Sequence, residues 1–444
     1  MTRIFFILRY VILFSCTAVL LTACATDVLR GNRWCEERTH PVTTGVSADI
    51  TDRCWDPGVI CRLDIAIKSA NLCTVQQTLV LEDGANYEMT GIIERPVNDP
   101  DSAVLFSRQQ ALPLISKDII IEGNGATIST GSVRERQLFY VLPSASLTLR
   151  NLTIQGAHSD NPHRIRRGAD GPALYNIGNT LLEEVTVRDN ETDASGGAIY
   201  NKGELTIRDS VLTNNVAGIS ESGGAVAGPG NLVVERSSFV GNSATKGGAL
   251  AVQGGRARIS KSTFSGNVTP RDIGEGGGIY VLQRSSTLHM YSSTLTGNSA
   301  FAGGGVVVAT PIQEVHLQDV TVARNIVGGA PPVVSDLRID GPSVGGTRIT
   351  NTLVEGLGPN PACGIISAAS GSHGLSSDDS CVSSGLTAGN PRLEGLANNG
   401  GTTQTMVPGS GSDAIDRGRD CLAEDQRGLS RPVRACDVGA VELR

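Results

Sequence analysis

From Leu182 onward, apolar and polar positions alternate in short bursts separated by turn residues, each burst too short for a helix. The bursts come in pairs. Leu205-Thr-Ile207 leads to Leu212-Thr-Asn-Asn215, Leu232-Val-Val234 to Phe239-Val-Gly-Asn242, and Arg258-Ile259 to Phe264-Ser-Gly-Asn267. Leu288-His-Met290 leads to Leu295-Thr-Gly-Asn298, and Val315-His-Leu317 to Val322-Ala-Arg-Asn325. The closing residues are Asn190, Asn215, Asn242, Asn267, Asn298 and Asn325, so the steps are 25, 27, 25, 31 and 27 residues. A second mark recurs between them: Gly196-Gly-Ala-Ile199, Gly223-Gly-Ala-Val226, Gly247-Gly-Ala-Leu250, Gly276-Gly-Gly-Ile279 and Gly303-Gly-Gly-Val306. Alternation at period two predicts strands with one apolar face. A unit of two or three such strands can bury that face only against copies of itself. The pattern therefore predicts an all-β fold, a parallel β-helix with one coil per unit. Its hand is right, as for nearly all parallel β connections. From Lys117 to Gly356 the period allows about nine coils. Gly-Gly suits a corner where a Cβ would clash. Asn at the other corner is expected to take the left-handed conformation and to hydrogen-bond the next coil.

An open end of such a rod exposes unpaired backbone. Between Cys61 and Asn71, the residues Leu63, Ala66, Ile67 and Ala70 stand at helical spacing. They predict a short amphipathic helix that plugs the first coil, with Asp64 and Lys68 as an i,i+4 pair, acid first. Helical throughout, this segment would hold Cys61 and Cys73 about 18 Å apart. That is too far for a disulfide, which leaves Cys35 or Cys54 for Cys73. The runs 111–115 and 119–128 read as the first coil. The expected organisation is 1–23 signal peptide, 24–50 linker, 51–116 N-terminal cap, 117–360 β-helix and 361–444 C-terminal cap.

Composition supports this picture. Gly is 54 of 444 residues, aromatics are 4% and charged residues 18%, which suits a tightly stacked β structure and excludes a coiled coil. The net charge is −7, from 37 basic and 44 acidic residues, which argues against nucleic acid as a partner. Arg3 precedes an apolar run from Tyr10 to Leu21, the shape of a signal peptide. Beyond it, Cys35, Cys54, Cys61, Cys73, Cys363, Cys381, Cys421 and Cys436 cluster at the two ends of the chain, and none falls between residues 74 and 362. An even number without close pairs reads as a disulfide framework in an oxidising compartment.

Several motifs resemble known families. Leu21-Thr-Ala-Cys24 resembles the bacterial lipobox, which implies cleavage before Cys24 and a lipid on its thiol. With Ala25 next, the family's sorting rule implies the outer membrane of a bacterial envelope. The alternation of Gly-Gly-Ala-Ile and Phe-x-x-Asn over about residues 171–325 resembles the repeats of chlamydial polymorphic outer-membrane proteins, surface β-helices implicated in adhesion. Cys61, Leu63, Ala66, Ile67, Ala70 and Asn71 match the Cys-Ser-Leu-Arg-Glu-Ala-Ile motif that opens many bacterial β-helix proteins, whereas Arg62, Asp64 and Ile65 depart from it. Asn398-Asn-Gly-Gly401, Ala414-Ile-Asp416, Asp425-Gln-Arg-Gly428 and Asp437-Val-Gly-Ala-Val-Glu442 resemble the choice-of-anchor region that closes such proteins. In relatives an anchoring segment often follows that region. Here Arg444 comes two residues past Glu442, and the lipid at Cys24 is the expected anchor.

The segment 156–171 is the richest in chemistry, with His158, Asp160, His163, Arg164, Arg166, Arg167 and Asp170. Lyases of this fold use a Lys or Arg base, often with Ca²⁺, so His158, His163, Arg164, Arg166 and Arg167 are the catalytic candidates. A solvated insertion is the alternative. Arg258, His289 and His316 each precede their corner Asn by nine residues and should stack on one outward face, as a shallow binding stripe or a pH sensor. Asp413, Asp416 and Asp420, near Glu424 and Asp425, are candidate Ca²⁺ ligands, although their spacing matches no calcium loop. No other metal or cofactor is expected. Coil-equivalent Glu183, Arg208 and Glu235 alternate in sign, so no glycosidase-type acid pair emerges. The motifs specify shape and location rather than a reaction centre. The leading expectation is an envelope-anchored lipoprotein, held to the membrane by its lipid, with an adhesin-like or glycan-binding role toward a glycan or host-cell ligand. A polysaccharide lyase or hydrolase and a purely structural envelope spacer are the alternatives.

Overall fold

The computed structural model describes residues 34–44, 61–91, 109–131, 136–159, 170–309, 312–328, 333–341, 344–365, 369–432 and 435–444. Their strands wind as a parallel β-helix. One face is a nine-stranded sheet that begins at Phe139–Val141, continues through Leu174–Asn176 and Ile199–Asn201, and ends at Cys363–Ile365. Each strand pairs in parallel with its equivalent one coil later, so this sheet counts nine coils. The other face is a longer sheet that starts with Thr39–Thr43 and Gln77–Leu81 and closes with Leu386–Ala388.

Alternation translates directly into columns. In Glu204–Arg208 the inward residues Leu205 and Ile207 are buried, and their equivalents stack in register. Leu149, Leu182, Ile207, Val234, Ile259, Met290, Leu317 and Ile349 form one unbroken aliphatic column. In the next column, Phe239 and Phe264 stack with ring centres 4.6 Å apart.

The corner Asn residues form a second column. Each Oδ1 accepts both the backbone N–H and the Nδ2–H of the Asn one coil earlier. The Nδ2–Oδ1 distances are 2.8 Å for Asn190–Asn215, 2.9 Å for Asn215–Asn242 and Asn242–Asn267, 2.8 Å for Asn267–Asn298 and 2.9 Å for Asn298–Asn325. Every one of these amides is fully buried and satisfied, the condition under which a buried polar network is tolerated. The left-handed residue is not the ladder Asn, contrary to the expectation above. It is the residue before it: Asp189, Asn214, Gly241, Gly266, Gly297 and Arg324 all have positive φ. The turn is made one position early so that the amide points inward along the rod axis, where the stack can run.

The Gly-Gly corner divides its work between two residues. Gly223 has φ +70°, and Gly224 lies so close to the next coil that a Cβ would sit 2.0 Å from the Gly248 carbonyl oxygen.

Helix α1, Leu63–Ala70, covers the start of the rod and buries Leu63, Ile65, Ala66, Ile67 and Ala70. Asp64 pairs with Arg62 at 3.1 Å rather than with Lys68, because Arg62 is in extended backbone at the helix start and reaches the carboxylate with two nitrogens. Cys73 bonds to Cys35, and Cys61 is disulfide-bonded as well. Cys24 and Cys54 lie outside the described residues. At the far end Cys363–Cys381 ties the last rung of the nine-stranded sheet to a short 3-10 turn, Asp379–Ser384.

The chain then turns back along the flank of the rod. Thr263, Thr294, Thr321, Leu353 and Leu375 occupy one outward row of the long sheet, and all five are buried beneath residues 390–444. Ala323, Leu353 and Leu375 join Leu393, Met406, Ala414 and Val438 in a second small core. The amide of Gln426 completes the polar part of the contact. Its Oε1 accepts from Thr294 at 2.7 Å, and its Nε2 donates to Thr263 at 2.8 Å and Thr403 at 2.9 Å. Cys421–Cys436 staples this segment.

Candidate functional site

On the long sheet, the outward row next to the strand centre carries charge over its early coils. Arg150 reaches Glu122 at 2.9 Å and Glu183 at 2.8 Å, and Arg208 reaches Glu183 at 3.3 Å and Glu235 at 3.0 Å. The hydrogen bond from Arg150 holds the Glu183 carboxyl below its usual range. This row is neutralised within itself.

The adjacent outward row is different. Strands Arg256–Ser260, Thr287–Tyr291, Glu314–Gln318 and Thr347–Thr350 are successive in the sheet. Their register places Arg258 beside His289, His289 beside His316, and His316 beside Arg348. The spacing of nine residues before the corner Asn was enough to bring the first three together. Arg348 was missed, because no corner Asn of the repeat type follows it in the sequence. The guanidinium of Arg258 lies over the ring of Tyr291, 4.6 Å from its centre. His289 and His316 meet edge to face at 5.8 Å, and His316 Nδ1 is 3.4 Å from the Tyr291 hydroxyl. His289 Nε2 lies 3.2 Å from a Glu314 carboxylate oxygen. Burial, with the nearby His289, Arg348 and Arg258, pushes the His316 imidazole below its ordinary value.

Arg258 and Arg348 are exposed, and among the described residues neither has a carboxylate partner. Other arginines on the rod do: Arg236 pairs with Asp209 at 2.7 Å, Arg324 with Glu355 at 2.9 Å and Arg338 with Glu275 at 2.8 Å. The row is bordered on one side by the C-terminal segment, where Gln318 donates to the Asp420 carbonyl at 3.1 Å. A row of cations and imidazoles at rung spacing, on a face that none of the described segments covers, is suited to holding an anionic chain.

The other predicted site residues are dispersed or occupied. His158 Nδ1 is 3.6 Å from a Glu191 carboxylate oxygen on the next coil, and Asp170 accepts from the Ser195 backbone at 3.1 Å. Asp160, His163, Arg164, Arg166 and Arg167 lie outside the described residues. The acidic residues near Cys421 do not converge. Asp413 is held by Arg417 at 3.2 Å and by the Asn390 backbone, Glu424 by Lys261 at 2.6 Å, and buried Asp425 by Arg427 at 2.7 Å. Asp416 and Asp420 both have left-handed backbone. Among the described residues, no three His, Cys, Asp or Glu side chains gather as metal ligands. A cleft of about 340 Å³ between the last coil and the C-terminal segment includes Asp413, Asp416, Arg417 and Arg419 in its lining, but its charges are largely spent on one another and on backbone carbonyls.

A family model for a right-handed β-helix region matches residues 116–330. It covers the repeats and the strands Arg256–Ser260, Thr287–Tyr291 and Glu314–Gln318 that carry most of the row. Comparison with the curated proteins gives no match.

Proposed function

We propose that this chain is an envelope-anchored, non-catalytic β-helix lipoprotein that binds a glycan on the part of its long sheet's outer face that none of the described segments covers. The observation that carries the reading is the in-register row Arg258, His289, His316 and Arg348, whose two guanidiniums lack carboxylate partners among the described residues. The resemblance of the repeats to adhesin-like surface β-helices supports it. Three acyl chains at Cys24 would exceed the two membrane signals that stable anchoring needs. Ala25 after Cys24, by the sorting rule of the family that the lipobox resembles, would place the rod at the outer membrane of a bacterial envelope.

The test uses full-length protein made in an oxidising compartment and solubilised in detergent. It is co-sedimented with a panel of acidic and neutral polysaccharides, beside the double variant Arg258→Gln/Arg348→Gln. The expected result is binding to acidic members that falls at least about tenfold in the variant. Equal binding by wild type and variant would remove the row from the reading. No binding to any polysaccharide would leave a structural spacer. Palmitate labelling that disappears in Cys24→Ser tests the anchor.

The proximity of Tyr291 to His316 favours one second reading, a polysaccharide lyase or hydrolase, since a phenol and an imidazole in contact can pass a proton. The same incubations are read for unsaturated-sugar absorbance and new reducing ends. Either signal, lost in Tyr291→Phe, would replace binding with cleavage.

A further inference from the structure

We infer that the ligand of this face is a carboxylated polysaccharide lying along the rod axis, with its negative groups over successive rungs, and that His289 and His316 make its binding stronger as pH falls. The inference rests on the glycan-binding reading above and narrows the ligand and its regulation.

Register is the first argument. The four side chains come from four consecutive strands and occupy the same position in each. Neighbouring strands are about 4.8 Å apart, so the row spans about 14 Å in a straight line along the axis. A ligand that presents charge at regular intervals can meet every rung at once. A small anion would use one rung and leave the others idle. A broad polyanion such as duplex DNA would need cations on neighbouring rows. Beside these rungs one neighbouring row carries Ser260, Tyr291, Gln318 and Thr350, and the other carries Arg256, Thr287 and Glu314, a single cation opposed by a carboxylate.

Charge balance is the second argument. The groups that face His316 are His289, Arg258, Arg348, Glu314 and Tyr291. Arg258 and Arg348 are permanently cationic, and Glu314 is the single carboxylate among these groups. Protonating both imidazoles in the empty protein would gather four cations against one anion. A bound polyanion supplies the missing negative charge and makes that protonation favourable. By linkage, if ligand draws protons onto the histidines, protons must tighten the ligand by the same factor. The Nε2 atom of His316 is buried without a hydrogen-bond partner among the described residues, so in the empty protein a proton there meets no acceptor.

The experiment is titration calorimetry of the full-length protein in detergent with polygalacturonate, which stays ionised throughout, at about pH 5.5 and about pH 7.5. Each titration is run in two buffers of different ionisation heat, with dextran as the neutral control. Binding should be roughly tenfold tighter at the lower pH, with net proton uptake. His289→Gln/His316→Gln should lose both the pH effect and the proton uptake. Arg258→Gln/Arg348→Gln should bind weakly at both. All four positions are on the outer face, and melting curves check that each variant is folded at both pH values. Wild-type binding that is flat with pH, or a histidine variant that keeps the dependence, would overturn this inference and leave the glycan reading intact. An arginine variant that binds like wild type, or equal binding of dextran, would overturn the reading beneath it. Preference for duplex DNA over polygalacturonate would overturn both.

Discussion

The Asn ladder ends in a residue of a different kind, and that end is the most sensitive point in the rod. Asn325 has no Asn above it. Its backbone N–H and Nδ2–H instead donate to Asp336 Oδ1, at 3.0 and 2.7 Å, while the other carboxyl oxygen accepts from Ser335. Asp336 is fully buried, and burial pushes its carboxyl up to about 7 from an ordinary 3.8. Between those values the folded protein holds a proton that the unfolded chain has released. Stability therefore falls as pH rises through this window, and the loss is complete above about 7. A difference of about 3 pH units corresponds to about 4 kcal/mol. Asp336→Asn keeps the oxygen that accepts both Asn325 bonds and turns the other oxygen into a donor, which the Ser335 hydroxyl can accept by rotating. It continues the ladder with a neutral group. The variant should exceed wild type by about 2–4 kcal/mol near pH 8 and match it within about 0.5 kcal/mol near pH 4. The assay is urea unfolding followed by circular dichroism across that range, comparing transition midpoints of the two proteins at each pH. Wild-type stability that is flat with pH, or a variant equally destabilised at both ends, would refute the reasoning.

Four further perturbations test the scaffold. Asn267→Ala removes the amide that donates to Asn298 and to the Phe239 carbonyl and strands two donors of Asn242, so a loss of about 2–4 kcal/mol is expected in the same urea assay. Gly224→Ala should cost more than about 3 kcal/mol, since its Cβ would meet a carbonyl oxygen at 2.0 Å. Gly266→Ala, at φ +63° but with open space around it, should cost about 1 kcal/mol; equal costs would refute the distinction between close approach and backbone strain. Gln426→Ala should loosen the C-terminal segment alone, seen as faster amide exchange over 390–444 with the Asn ladder unchanged.

What was legible in the sequence was what repeats. Alternation at period two decides which residues face the interior, and a period of 25 to 31 residues decides which residues stack. The aliphatic column from Leu149 to Ile349, the Asn column and the row Arg258, His289 and His316 all follow, because a parallel in-register ladder converts equal position in a repeat into contact. The mixed signs of Glu183, Arg208 and Glu235 were readable for the same reason, and the structure extends the series to Glu122 and Arg150. Where the repeat loses its marks, prediction loses the residue. Arg348 follows Asp336, which stands in for the next ladder Asn only eleven residues after Asn325, so counting back from a corner no longer works.

Tertiary structure alone decided what lies outside the coils. Thr263, Thr294 and Thr321 have the pattern of solvated outward positions, yet they are buried, while Val211 in the same row upstream is 38% exposed. The difference is that residues 390–444 return along the flank, with Gln426 matching the Thr hydroxyls. Likewise, Asp413, Asp416, Asp420 and Asp425 are close in sequence, but each is drawn to a different partner or turn. The rod is built from local repetition, in which every coil faces a near-copy of itself, and sequence period is then a sufficient guide. The docking of an aperiodic segment on the rod depends on contacts between residues at irregular separations, up to more than a hundred and sixty positions, and no local pattern encodes them.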